Sequence, residues 1–182
     1  MNNVEFFHNN KWKKLSIEIV GMGSEDIDVA VLAPSQKLAP VLPLEPTLQD
    51  AMIGQQVYFL GFPMGMVNNT GRELNRNFPV PLAKSGILSG AEKPKKIWID
   101  GHNNPGFSGG PLVFVPHGKP NIGYRVAGVI SGYRMSSIPV YNSNSQQIGI
   151  FPENSGIVEA YNIMFAIDLI ENNPIGFPLS TP

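Results

Sequence analysis

The sequence predicts an all-β protein, and three observations carry that expectation. Among its 182 residues are 19 glycines and 17 prolines, about a fifth of the chain against a usual share of roughly 12%. Charged residues make up only 15% while hydrophobic residues reach 42%, enough for a core and too apolar for a disordered chain. Short apolar runs recur along the chain, each closed by Gly, Pro or Asn, which is the signature of a closed barrel or a sandwich. The Gly and Pro surplus is dispersed, so collagen and low-complexity readings fail.

Residues 4–8 and 12–21 are β-rich runs on either side of Asn9-Asn10, which predicts a hairpin with a polar turn. Leu15, Ile17 and Ile19 alternate with Ser16 and Glu18, the period of a half-buried strand. Residues 28–33, "DVAVLA", form a third short strand. Pro34, Pro40, Pro43 and Pro46 then break any helix or central strand. That stretch reads as an extended linker, dividing the chain into 1–33, a linker at 34–53, and 54–182. Six strands are expected beyond it, at 57–62, 81–89, 96–100, 111–115, 125–131 and 157–161. Residues 162–172 place Ile163, Ala166, Ile167 and Ile170 on one helical face, with Asn162 as cap and Pro174 as stop. This helix is expected to pack on the barrel.

Several function classes are excluded. A net charge of −1 offers no basic patch for nucleic acid. The absence of cysteine removes disulfides, thiol catalysis and thiolate-bound metals. No apolar run is long enough to span a membrane, and the N-terminus lacks a basic start followed by an apolar core, so no signal peptide is read from this chain. The three histidines, His8, His102 and His117, lie in separate segments, so no metal site and no cofactor are expected. Asn68-Asn69-Thr70 fits a glycosylation pattern but reads as ordinary loop.

The most informative stretch is Pro105-Gly106-Phe107-Ser108-Gly109-Gly110-Pro111-Leu112-Val113. Glycines let a backbone turn tightly and reach positive φ. Such a turn can converge successive N–H groups into an anion-binding nest. If the anion is the oxygen of a tetrahedral acyl intermediate, the nest is an oxyanion hole and Ser108 lies beside it as nucleophile. A Gly-rich hairpin loop with an incidental serine is the competing reading.

"PGFSGGPLV" resembles the nucleophile loop, G-x-S-G-G-P, of trypsin-like serine peptidases. "DVAVL" is similar to the segment that holds the family's catalytic aspartate. "GQQVYFLGFPMG", "SGILSG" and "VAGVISGY" resemble, in order, strands of its second barrel, and "GIVEAYNI" followed by a helix resembles its C-terminus. The resemblance implies a double β-barrel and a serine endopeptidase acting on polypeptides through an acyl-enzyme. It implies Ser108 as nucleophile, the N–H groups of Gly106 and Ser108 as oxyanion hole, and Asp28 as the residue that orients the histidine. Asp26, two residues away, competes with Asp28 for that role. Ser131, Tyr133 and His102 fall where the family builds its substrate cleft. Phe107 replaces an aspartate that, in digestive members, pairs with a newly cut N-terminus, so that activation switch is expected to be absent.

The resemblance also exposes a gap. The mechanism needs a general base, a histidine well before the aspartate. Only His8 precedes Asp28, in "FFHNNKW", and it reads as a hairpin residue, while His117 reads as a turn residue. Three strands precede the linker and six follow it. The first barrel is therefore expected to be incomplete, with about three strands, and the second six-stranded with a C-terminal helix. The N-terminal part with the histidine is expected to be missing, and this chain to be inactive as it stands. The alternatives are a non-catalytic barrel that binds peptides or proteins, and an anion-binding β domain unrelated to proteolysis.

Overall fold

Residues 2–24, 26–38, 44–92 and 96–177 are described by the computed structural model. Strands β1 (Asn2–His8), β2 (Lys11–Met22) and β3 (Ala30–Pro34) form an antiparallel sheet in the order β1-β2-β3. Asn9 and Asn10 both take positive φ, 51° and 59°, as a two-residue hairpin turn requires and as Asn tolerates. Leu15 and Ile17 are buried as the alternation predicts, but Ile19 is exposed. A bulge between Ile19 and Gly21 opposite β3 reverses the phase and turns Val20 inward instead.

The second sheet contains β4 (Glu45–Pro46), β5 (Gln56–Gly61), β6 (Leu82–Glu92), β7 (Lys96–Asp100), β8 (Pro111–Phe114), β9 (Arg125–Tyr141) and β10 (Gln147–Asn162). Its order is β10-β7-β6-β5-β8-β9-β4, and β10 also pairs with β9. That last pairing closes six strands into a ring, so the six-stranded barrel expected from the sequence is present beside a three-stranded partner. The ring is filled by Val57, Phe59, Leu88, Ile97, Ile99, Leu112, Phe114, Ala127, Ile130, Val158 and Ala160. On β5, β7, β8 and β10 these come from alternate positions, the period of a sheet with one face inward, while on β9 Ala127 and Ile130 are three apart, where its pairing is irregular.

Two strands run far beyond their predicted bounds. The outer parts of β9 and β10 pair only with each other and project as a ribbon. Ile138, Val140, Tyr141, Ile148, Ile150 and Phe151 are exposed on it. Apolar residues occur on both faces, so no one-sided pattern marked these residues as strand. Pro139 and Pro152 sit opposite Ile150 and Ser137. Having no N–H to donate, they interrupt the ribbon's outward hydrogen-bonding edges.

The predicted linker lies partly outside the described residues, at 39–43. Its C-terminal part is fastened to the barrel. Glu45 and Pro46 pair in parallel with Arg125 and Val126 of β9. Arg125, only 8% exposed, binds Glu45 at 2.7 Å and Asp50 at 2.9 Å, and Lys119 reaches Asp50 at 3.0 Å. The helix α1 (Met164–Asn172) has Ile163, not Asn162, at its N-cap position and no side-chain cap there, while Asn162, one residue earlier, accepts the N–H of Met164 on Oδ1. The helix packs chiefly on β2 and β3 rather than on the ring. Leu169 lies against Gly21, where an added Cβ would come within 2.8 Å of it, and Asn173 donates to the carbonyl of Val20 at 2.8 Å.

Phe59 is fully buried at the centre of the ring, so Phe59→Ala should cost about 3–5 kcal/mol, read from the denaturant midpoint. Asp50 is held below the ordinary carboxylate value of 3.8, first by its hydrogen bond from Lys119 and then by that from Arg125. A depressed folded-state value stabilises above the ordinary value and is lost as pH falls through the folded one. Asp50→Asn should therefore lower the melting temperature at pH 7, and the difference from wild type should shrink as the pH is taken below 3.8.

Candidate active site

The loop 101–110 runs from β7 to β8 and is pressed onto the end of β5. The N–H of Phe62 donates to the carbonyl of Gly106 at 2.9 Å, and that of Met64 to Pro105 at 3.2 Å. Gly106 takes φ of 106°, and a Cβ there would stand 2.4 Å from the Phe62 carbonyl oxygen. A Cβ on Gly110 would stand 1.9 Å from the Leu60 carbonyl oxygen. Both glycines are thus required by close backbone approach. Between them, Phe107 is fully buried and meets Phe59 edge to face, with centroids 5.1 Å apart. Its ring is part of the barrel core.

Burying Phe107 leaves its neighbour Ser108 exposed. Ser108 Oγ donates to the carbonyl of Ser131 at 2.7 Å. Ser131 Oγ in turn donates to Asp28 Oδ2 at 3.1 Å. Three residues from β3's leading turn, the Gly-rich loop and β9 are thereby joined in one hydrogen-bonded chain. No acceptor among the described residues bonds the N–H of Gly106 or of Ser108, so both donors are available to a ligand.

Asp28 does not stand on a strand. It precedes β3 in a tight turn closed by Gly23 N–H to Val29 and Ile27 N–H to Ser24. Parity along a strand therefore cannot place Asp26 and Asp28 on one face. The Asp26 carbonyl accepts the hydroxyl of Tyr161 at 2.9 Å, while the Asp28 carboxylate is the one joined to Ser131. Tyr133 follows Ser131 along β9 and is half-buried. The imidazole of His102 is exposed, and its carbonyl accepts Lys84 Nζ at 2.6 Å.

None of the three histidines is bonded to Asp28 or Ser108. His8 has both ring nitrogens engaged elsewhere, Nε2 with the Arg76 carbonyl and Nδ1 with Lys13 Nζ, each at 3.1 Å. Its ring also lies 4.4 Å from that of Phe78. His117 sits in the turn after β8.

Two residues of the loop neighbourhood escaped the sequence reading. Asn103, 2% exposed, donates to the Gly132 carbonyl at 3.1 Å and accepts Asn154 on its own carbonyl at 2.7 Å. Lys84 donates to Asn104 Oδ1 at 2.7 Å as well as to His102. The signal for Lys84 was present: it shares the alternation of Leu82, Gly86 and Leu88, which turns it inward.

The two glycines after Ser108 should respond differently to alanine. Gly110→Ala should destabilise by several kcal/mol, because backbone must move. Gly109, at φ of 82° with nothing within 4 Å of an added Cβ, should lose only about 1–2 kcal/mol for its left-handed conformation. Thermal melts of the two variants check the contrast.

The sequence family described as trypsin-like peptidase domain matches residues 3–119. Among solved structures, Rv3671c from M. tuberculosis H37Rv, an inactive form carrying a serine-to-alanine mutation, matches with a TM-score of 0.51 at 18% identity, over 92% of this chain and 69% of that one. No curated protein matches.

Proposed function

Because the chain belongs to the trypsin-like peptidase family, whose substrates are polypeptides, we propose that its site is that of a serine endopeptidase with Ser108 as nucleophile. The observation that carries this reading is the chain Asp28–Ser131–Ser108 beside the two free N–H groups of Gly106 and Ser108. In the proposed reaction, Ser108 Oγ bonds to the scissile carbonyl carbon and its proton passes to an imidazole. The carbonyl oxygen takes the negative charge and is held by the two N–H groups. The imidazolium returns the proton to the leaving amine as the C–N bond breaks, and water then releases the acyl group. Asp28 orients that imidazole and stabilises its charged form. Ser131, Tyr133 and His102 border the substrate.

No histidine of this chain fills the imidazole's place. Asp28 and Ser108 are both exposed, so an imidazole from solution has access to each. The 182 residues alone should therefore hydrolyse peptides only at the residual level that binding and an oxyanion hole sustain, roughly 10³–10⁴ over water. The same observation favours a second reading, in which the barrel binds polypeptides without cleaving them.

Added imidazole separates the two. If Ser108 is a nucleophile lacking its base, a fluorophosphonate should label the chain faster as imidazole is raised. Ser108→Ala should abolish labelling, and Asp28→Asn should remove most of the acceleration. Labelling that imidazole leaves unchanged would favour the binding module. Turnover at ordinary protease rates without imidazole would show that a base was overlooked.

A further inference from the structure

Lys84 lies on β6 directly opposite Phe59 of β5. Residues so paired share a face of the sheet, and Phe59 is wholly buried inside the ring. The lysine stem therefore sets out from the barrel's inner face. An inward ammonium is costly to desolvate unless its donors are satisfied. Here two are met at short distance, by the His102 carbonyl at 2.6 Å and Asn104 Oδ1 at 2.7 Å. The ammonium also lies 5.7 Å from the centroid of Phe107, within the range of cation–π attraction. Both acceptors are neutral, and all three contacts belong to one stretch, residues 102–107.

Among the described residues no other side chain of β6 is bonded to that stretch, whose carbonyls at 105 and 106 are held from the end of β5 by Met64 and Phe62. The far side of the loop is tied to β9 by Gly109 and Gly110. The first side is tied by Asn103 to Gly132 and by the Gly101 N–H to Gly156, at 3.1 and 2.9 Å. Asn104 also accepts the N–H of Phe107 through its carbonyl, at a long 3.4 Å. Lys84 therefore braces Asn104 from its side chain, just ahead of Gly106 and Phe107. With an aromatic ring rather than a carboxylate at position 107, the charge beneath this loop comes from the barrel wall.

We propose that Lys84 is a positioning residue for the oxyanion hole: its ammonium holds residues 102–107 so that the N–H groups of Gly106 and Ser108 stay turned to the cleft. The proposal rests on the reading of Ser108 as nucleophile. Its structural half can be judged independently of that reading.

The test uses the full chain with Lys84→Met, which keeps the length of the stem without a donor, and Lys84→Gln, which keeps a neutral donor. Hydrogen exchange of the Phe62, Met64 and Phe107 amides, whose acceptors are the carbonyls of Gly106, Pro105 and Asn104, should accelerate roughly tenfold to a hundredfold in Lys84→Met, the worth of a hydrogen bond to a charged group. Lys84→Gln should fall between it and wild type, and the amides of β5 and β7 should exchange as before. Imidazole-driven fluorophosphonate labelling of Ser108 should slow at saturating imidazole, while the half-saturating imidazole concentration stays fixed, because Lys84 does not touch the imidazole's place. Unchanged exchange at Phe62, Met64 and Phe107, or equal acceleration throughout β5 and β7, would overturn the proposal. A shifted half-saturation would overturn it too. If wild-type Ser108 fails to label at all, the nucleophile reading falls, and the exchange result still decides whether Lys84 braces the loop.

Discussion

Two hydrogen bonds splice the Gly-rich loop onto the wall of the barrel: Gly109 N–H to the Ile130 carbonyl at 2.8 Å, and Ile130 N–H to the Gly110 carbonyl at 2.9 Å. They extend the β8–β9 ladder by one step past Pro111↔Val129. Because they fix residue 130 against residues 109 and 110, residue 131 must stand beside residue 108. The hydroxyl of Ser108 then has the Ser131 carbonyl in reach, and the Ser131 side chain points on to Asp28. The same splice forces the backbone of Gly110 onto Leu60, which no side chain at 110 would permit. Buried Phe107 is the wedge that completes the turn.

The small sheet would have little reason to stay where Asp28 needs to be if it rested on β-pairing alone, since no ladder joins it to the ring. It is held by individual contacts instead. Tyr161 at the end of β10 donates to Asp26, Asn173 after α1 donates to Val20, and Arg72 donates to Asn10 at 2.9 Å. Asn9 donates to the carbonyl of Asn77 at 3.2 Å, and His8 is pinned by Arg76. These bonds link backbone or turn residues at both ends of the sheet to β10, to the residue after α1 and to the loop between β5 and β6. Each is modest, about 0.5–1.5 kcal/mol, so the placement of Asp28 relative to Ser108 is a shared property of several weak ties.

Much of this was legible in the sequence. Strand β7 occupies the bounds read from its apolar run, and Gly106, Gly109 and Gly110 announced a loop with unusual backbone demands, which two positive φ values and the close approach at Gly110 meet. What escaped has physical reasons. The ribbon of β9 and β10 has no core to face, so its apolar residues show no one-sided period. Ile19 left its predicted face because a bulge, which carries no residue signature, changed the phase of β2. Asp28 was read as the first residue of a strand because apolar residues follow it, while the turn before it depends on Gly23 approaching Ile27 so closely that a Cβ would lie 2.2 Å from that carbonyl oxygen. Lys84 was passed over because a lone lysine ordinarily faces water. Only its alternation with Leu88 marks its stem as starting from the barrel's inner face.

The closed ring also sets a timetable for synthesis. Ser108 and Asp28 leave the ribosome long before residues 157–161, the part of β10 that pairs with β7 and seals the barrel. Until then β7 and β9 are open edges, and Tyr161 has not yet tied the turn that carries Asp28. Contacts that join such distant parts of a chain form slowly. A nascent chain therefore carries Ser108 through the synthesis of residues 109–156 before the strand that closes the ring exists, and the arrangement of Ser108, Ser131 and Asp28 is completed late.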